Sequence, residues 1–367
     1  MPRAPRFPVS DHCDGERFFN PPPQPQALGF SSLPRWWLQQ LRGDLQRWPR
    51  DVPPPRRVQL PASVAPGEVA VTFIGHSTFL LQFAGLTILT DPIFARCAGP
   101  FGLFGPKRAR PPALRLDELP AIDVVLVSHN HYDHLDLATL HWLARHRRPK
   151  FVTSLGNQAW LAAREIESDV VELDWWQTAD VIPSDGEPSR ARWSELTSTR
   201  SERVEVNAFH LDQSNAPAQP LLRVTATPAQ HFTARAPWDR CRTLWNGLML
   251  HTRAGDVFFC GDSGWGPHFA AIREKLGAPA LALMPIGAYE PRWFMLPVHM
   301  NPDEAVRAHL ALGARQSLGM HFGTFQLTNE AIDQPLLDLA IAREVHGVPE
   351  PDFTTLDFGE TRTLRLR

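Results

Sequence analysis

One octet of the chain reads Ser128-His129-Asn130-His131-Tyr132-Asp133-His134-Leu135, with three imidazoles and one carboxylate inside six positions. In an extended or tightly turned backbone, residues two apart point the same way, so His129 and His131 share a direction. Asp133 and His134 then face a second point in space. Two such ligand clusters, side by side, form a site for two metal ions. The apolar run Val124–Val127 leads into the octet. A short continuous run of this kind predicts a strand buried on both faces. Behind the octet, Leu135–Arg145 predicts a helix.

The arrangement recurs further along. Leu222–Thr227 leads to Pro228-Ala229-Gln230-His231, Val257–Cys260 to Gly261-Asp262-Ser263-Gly264, and Ser317–Met320 to His321. A sheet whose strands stop at one rim gathers these side chains, and the carboxyl ends of strands are a common place for ligands in α/β proteins. Seven candidate metal ligands follow: His129, His131, Asp133, His134, His231, Asp262 and His321. The set is nitrogen and oxygen only, which suits zinc and is compatible with iron or manganese. Asp262, between Gly261 and Gly264, suits a carboxylate that bridges two ions. Two ions about 3.5–4 Å apart share a water, bring its pKa toward about 7 and so supply a hydroxide nucleophile. They also neutralise charge that builds on a phosphoryl or carbonyl oxygen. No Gly-x-Ser-x-Gly elbow marks a serine nucleophile.

Three further residues attach to this chemistry. His299, in Pro297-Val298-His299-Met300-Asn301, is placed to contact a phosphate or to give a proton to a leaving group. With Asp133 and Asp262 it makes up the candidate catalytic set. Asp91 follows Leu89-Thr90 and can orient a ligating histidine by accepting its second N–H. His76, between two strand patterns, reads as a turn residue or as a further member of the site. His12 and Asp14 flank Cys13 in the N-terminal region and read as structural.

Bulk composition narrows the alternatives. In 367 residues, 37 Lys and Arg balance 39 Asp and Glu, so no overall field draws the chain to nucleic acid. The four cysteines form no Cys-x-x-Cys pair, so no thiolate zinc knuckle is indicated; their scatter suits a reducing compartment and leaves a disulfide open. The first 30 residues show no secretory apolar core, and no apolar run approaches a membrane span. A cytoplasmic protein is the expectation. Residues 1–66 read as a proline-rich arm and 67–367 as the main domain. In the arm, Trp37, Leu41, Leu45 and Trp48 recur at near-helical spacing over Leu33–Trp48, with Gly43 as a weak point. Such a helix either docks on the main domain or lies on the inner membrane surface as a peripheral contact. A homodimer is one admissible assembly.

Strands are expected at Val69–Ile74, Thr78–Phe83, Leu86–Leu89, Phe151–Thr153, Val170–Leu173, Gly247–Thr252 and Leu281–Met284. Asp303–Leu312 is expected as a helix, with Pro302 at its start and Gly313 after it. Ser184–Arg203 and Asn207–Pro220 lack a period and read as insertions.

The octet, Asp262 and His321 together resemble the metallo-β-lactamase superfamily of dinuclear hydrolases. The finer resemblance is to the N-acylphosphatidylethanolamine-hydrolysing phospholipase D group. It rests on Gly75-His76-Ser77-Thr78, Leu89-Thr90-Asp91-Pro92-Ile93-Phe94, Gly105-Pro106-Lys107-Arg108, Leu173-Asp174-Trp175-Trp176, Tyr289-Glu290-Pro291-Arg292-Trp293-Phe294-Met295 and Met320-His321-Phe322-Gly323-Thr324-Phe325. The resemblance implies an α/β (α+β) fold, a four-layer αβ/βα sandwich of two mixed β-sheets with outer helices. It implies one zinc on His129, His131 and His231, a second on Asp133, His134 and His321, a bridging Asp262, and His299 near the substrate. The implied reaction cleaves the headgroup-side phosphodiester of an N-acylated phospholipid. The alternative is a lactonase or other ester hydrolase on a small sugar-phosphate-like substrate.

Overall fold

The computed structural model describes residues 6–166, 168–182 and 221–367; the expected insertions at 184–203 and 207–220 lie outside the described residues. The strands, in chain order, are β1 (Glu68–Gly75), β2 (Thr78–Phe83), β3 (Leu86–Thr90), β4 (Val124–Val127), β5 (Lys150–Ser154), β6 (Val170–Leu173), β7 (Thr178–Ile182), β8 (Leu222–Thr227), β9 (Gly247–Thr252), β10 (Gly255–Phe259), β11 (Leu281–Pro285), β12 (Gln316–Met320), β13 (Phe353–Thr354) and β14 (Thr361–Arg365). They form two seven-stranded sheets, ordered β14-β1-β2-β3-β4-β5-β6 and β13-β12-β11-β10-β9-β8-β7. Both sheets are mixed in the same pattern. In the first, β14, β1, β2 and β3 pair antiparallel and β3 to β6 parallel. In the second, β7 to β10 pair antiparallel and β10 to β13 parallel.

Strand alternation explains the layers. Val69, Val71 and Phe73 of β1 and Val124 and Leu126 of β4 join one apolar cluster with Leu248, Leu250, Val257 and Phe259 of the second sheet. The intervening Ile74, Val125 and Val127 turn the other way and pack on Leu140, Leu143 and Leu161 of the helices Leu137–His146 and Asn157–Ala162. Beyond the second sheet, Phe269 and Ile272 of the helix His268–Leu276 and Val306 and Leu312 of the helix Pro302–Leu312 cover its far face. The order is helix, sheet, sheet, helix, as the resemblance implied. Phe73 is fully buried and stacks on Phe79 at 4.8 Å. Replacing it with Ala would cost about 3–5 kcal/mol.

The apolar runs expected to be strands are strands, with ends shifted by a residue or two. The helix after the octet begins at Leu137 rather than Leu135, because the Asp136 carboxylate caps it and accepts from the Ala138 N–H at 3.2 Å. The second expected helix starts at Pro302 under a capping box between Asn301 and Glu304. The arm departs more. Its α-helix spans only Leu33–Gln39, followed by a wider turn over Gln40–Asp44. Gly43 there takes φ 99°, and the chain is extended from Leu45.

One face of this arm docks on the main domain. Trp36 stacks on Phe294 at 5.6 Å and donates to Asn329 Oδ1, while Trp48 donates to the Glu330 carbonyl. Trp37, Leu38 and Leu41 remain exposed. No helix among the described residues is long and apolar enough to cross a membrane.

Candidate metal centre

The strand ends converge. His129 and His131 leave β4, and His231 leaves the segment after β8. His131 Nδ1 lies 3.0 Å from His129 Nε2 and 3.1 Å from His231 Nε2. Asp133, His134 and His321, the last from the end of β12, form a second group. Asp133 Oδ2 stands 3.5 Å from His134 Nε2 and 3.3 Å from His321 Nε2. Asp262, after β10, sits between the groups. Its Oδ2 is 3.0 Å from His134 Nε2 and 3.2 Å from His321 Nε2, and 3.8 and 3.9 Å from His129 and His231 Nε2. All seven residues expected at the rim are therefore brought together.

The backbone that delivers them is constrained. His76, Asp91 and His321 all have positive φ, at 59°, 30° and 63°. Left-handed conformations in non-glycine residues are strained and cluster at functional sites. Gly261, at φ 62°, admits the close approach of Asp262 to the octet: a Cβ there would meet Ser128 Cβ at 2.7 Å and the Asn246 carbonyl at 2.9 Å.

The outer ring nitrogens of His129, His134 and His231 are fixed, which aims the inner ones, whereas the outer Nδ1 of His321 is buried without a partner. His231 Nδ1–H donates to the Val298 carbonyl at 2.9 Å. His134 Nδ1–H donates to Asp91 Oδ2 at 2.6 Å, the orienting role expected of Asp91. Ser128 Oγ donates to the same Asp91 oxygen at 2.6 Å and lies 2.9 Å from His129 Nδ1, so it accepts from that ring. One buried carboxylate thus orients an imidazole in each group. His76, read from sequence as a turn residue or a site member, is buried with its Nε2 3.1 Å from Asp133 Oδ2. Its carbonyl also accepts from the His321 N–H at 2.9 Å. His76, at φ 59°, thus touches one member of the second group through its ring and another through its backbone.

Electrostatics divide the groups. Burial first, then neighbouring imidazoles, push His129 well below the usual range and His131 down to about 3. Burial likewise takes His231 to about 4. Burial opposes charge at His134 and His321 too, but there the carboxylates prevail, with Asp262 leading. His134 lies well above its ordinary value and His321 is raised to about 9. Asp133 and Asp262 lie well below the carboxylate range: burial resists this, and the His134 charge overcomes it. Two buried carboxylates demand positive charge nearby.

The donor set fits divalent metal. Nε2 of His134, Nε2 of His321 and Oδ1 of Asp262 are buried without a hydrogen-bond partner. Buried polar atoms are rarely left so in a site with no further ligand. Donor atoms about 2.0–2.1 Å from a tetrahedral zinc stand about 3.3 Å apart, and the spacings within each group are close to that. His299 is buried at the edge, its Nδ1 4.0 Å from Asp262 Oδ2 and its ring 5.0 Å from that of His231. Burial holds it well below the usual imidazole range, so it is neutral. Arg292, paired with Glu304 at 2.7 Å, donates to the His299 carbonyl at 3.0 Å and fixes its backbone. His12 lies apart, bonded to Asp11 and Asp174 and stacked on Trp175, in the structural place expected for it.

Comparison with known proteins places the chain in a family. A beta-lactamase superfamily domain matches residues 87–189 and 182–322. The chain is 34% identical over 299 residues to N-acyl-phosphatidylethanolamine-hydrolyzing phospholipase D 1 of Caenorhabditis elegans, across 79% of this chain and 74% of that protein. It is 31% identical over 279 residues to the mitochondrial N-acyl-phosphatidylethanolamine-hydrolyzing phospholipase D of Saccharomyces cerevisiae. That match covers 75% of this chain and about half, 52%, of the yeast protein. Among solved structures, a metallo hydrolase from the archaeon Ignicoccus hospitalis superposes with a TM-score of 0.54 at 19% identity, over 82% of this chain and 100% of the other. An isothiocyanate hydrolase from Delia radicum gut bacteria superposes at 0.54 and 17%, over 80% and 98%. These two likenesses concern the fold alone.

Proposed function

Because the chain belongs to the metallo-β-lactamase superfamily, among the relatives of N-acyl-phosphatidylethanolamine-hydrolysing phospholipase D, and is on that ground a metal-dependent hydrolase, we propose that it is a dinuclear zinc phosphodiesterase. Its proposed substrate is an N-acylated phospholipid, cut on the headgroup side of the phosphodiester to give an N-acylethanolamine and phosphatidic acid. The observation that carries this reading is the position of Asp262 Oδ2 within 4 Å of imidazole nitrogens from both ligand groups.

In this reading His129, His131 and His231 hold one zinc, Asp133, His134 and His321 hold the other, and Asp262 belongs to both. Bound zinc supplies Lewis acidity, lowering the pKa of a water and offsetting charge on a phosphoryl oxygen. The remaining work falls to the chain. Asp91 and Val298 fix imidazole tautomers, and His76 donates to Asp133 so that its carboxylate keeps one orientation. His299 is neutral and buried beside Asp262, so it acts as a hydrogen-bond donor to a phosphoryl or leaving oxygen and not as a fixed cation. The exposed Trp37, Leu38 and Leu41, with Arg35, Arg42 and Arg47 exposed around them, suit peripheral contact with a lipid surface.

Zinc-loaded protein assayed on N-acylated phospholipids, simple phosphodiesters and lactones tests the reading. Turnover of the N-acylated phospholipid with release of N-acylethanolamine is the expected result. Lactone hydrolysis without phosphodiester cleavage would replace it with the lactonase alternative.

A further inference from the structure

The arm reaches the metal centre from behind. Residues 10–28 lie along the outer side of the segment 231–241 and bind it at several points. The Phe18 N–H donates to the Cys241 carbonyl at 2.8 Å, and Arg17 donates to the Arg240 carbonyl. In return Arg240 donates to the carbonyls of Ala27 and Leu28, both at 3.0 Å. Phe18 and Cys13 are buried in a cluster with Trp175, Leu244 and Trp245. The contact nearest the chemistry is Asn20, which is 1% exposed. Its Nδ2 donates to the carbonyl of His231 itself and to that of Pro25, each at 3.2 Å. Both neighbours are acceptors, so only the amide NH2 can face them.

The inner side of the same segment touches the octet. Arg235 donates to the carbonyls of Asn130 and Leu135, at 2.8 and 2.9 Å. Its guanidinium lies 3.9 Å from the Tyr132 ring centroid. The segment 231–241 is therefore clamped between the arm outside and the ligand loop inside, and Asn20 closes the clamp on the residue that bears a ligand.

We infer that Asn20 is a positioning residue of the metal centre and that the arm segment 10–28 is a structural part of it. The inference rests on the reading of His231 as a ligand. Asn20 fixes the His231 main chain, Val298 fixes its ring, and together they leave Nε2 one place to point. An amide is required because the site presents two carbonyl oxygens. A carboxylate of the same shape would face them with acceptors only, and its charge would be buried without a donor.

The test is zinc affinity, measured by competition with a chromophoric chelator, with circular dichroism recorded on each sample to establish the fold. Wild-type protein, Asn20→Asp, Asn20→Ala and Gln26→Ala are compared. Gln26 is exposed and grips the Asn20 backbone from both sides, so its removal loosens Asn20 without disturbing the core. Wild type is expected to bind two zinc ions. Asn20→Asp should weaken one of them about 10–100-fold and leave the other within a few-fold, with Asn20→Ala between the two. Gln26→Ala should weaken the same ion several-fold. Variants that bind both ions like wild type would overturn the inference alone. If the Asn20 variants fail to fold, unchanged affinity in Gln26→Ala overturns it. Wild type that binds no zinc would instead sink the reading of His231 as a ligand, and this inference with it.

Discussion

The two halves of the metal centre are built differently. The half formed by His129, His131 and His231 has no carboxylate of its own, and its outer partners are a hydroxyl and a carbonyl. The half formed by Asp133, His134 and His321 carries a carboxylate, and its outer partners include the Asp91 carboxylate and the His76 imidazole. Burial, helped by the neighbouring imidazoles, keeps the first half neutral. The second half holds charge, because each buried carboxylate needs a positive neighbour. Outer partners should therefore matter more in the second half, where they orient charged groups, than in the first, where they orient neutral rings.

The largest effect belongs to the residue that erases the distinction. Asp262→Asn removes the charge shared by both halves. It should abolish hydrolysis almost completely and strip most bound metal, read by assay and by metal analysis on one sample. Wild-type activity in that variant would refute its bridging position. His299 belongs to neither half. His299→Ala should retain both ions while kcat falls about 10²–10⁴-fold. Loss of metal in that variant would mean that His299 is itself a ligand.

The contrast is tested most sharply by one outer partner from each half. His76→Phe removes the donor to Asp133 and should weaken one zinc about 10–100-fold. Ser128→Ala removes the hydroxyl between His129 and Asp91 and should cost less than about tenfold. Equal losses in chelator competition would break the comparison. The smallest effect lies outside both halves, at His12. Burial lowers its proton affinity, but hydrogen bonds to Asp174 and Asp11 outweigh that and raise its pKa above 6.5. A pKa raised by folding adds stability that is complete below the unfolded value and disappears as pH rises through the folded one. Wild type should therefore exceed His12→Gln by about 1 kcal/mol near pH 5, with the gap closing at alkaline pH in urea titrations. A gap that widened with pH would contradict the assignment.

How legible each part was follows from the range of the interactions behind it. Strands such as Val124–Val127 and Leu222–Thr227 are apolar runs that any packed sheet would bury, and their bounds in the structure coincide with those of the runs. Four of the seven candidate ligands sit in the octet after Val124–Val127 and three follow later apolar runs, so the candidates are legible in the sequence, while their division into two groups comes from the family resemblance. β14, Thr-Arg-Thr-Leu-Arg, has no apolar run and is a strand only because β1 pairs with it across most of the chain. The helix Gln334–His346 is not legible in the sequence for a related reason, since Leu337, Ile341 and Val345 stay exposed and blur its periodicity. His76 and Asn20 show the limit most plainly. Their partners, Asp133 and His231, are 57 and 211 residues away. The arm's helix is shorter than its sequence pattern, because the apolar spacing of Leu41, Leu45 and Trp48 persists past Gly43, where the backbone leaves the helix to reach Gln326 and Glu330.

The most direct measurement is the number of zinc ions per folded chain, obtained by mass spectrometric metal analysis after zinc loading and exhaustive dialysis. Two ions per chain are predicted, one for each ligand group around Asp262. A folded protein that retained one ion, or none, would contradict the paired site.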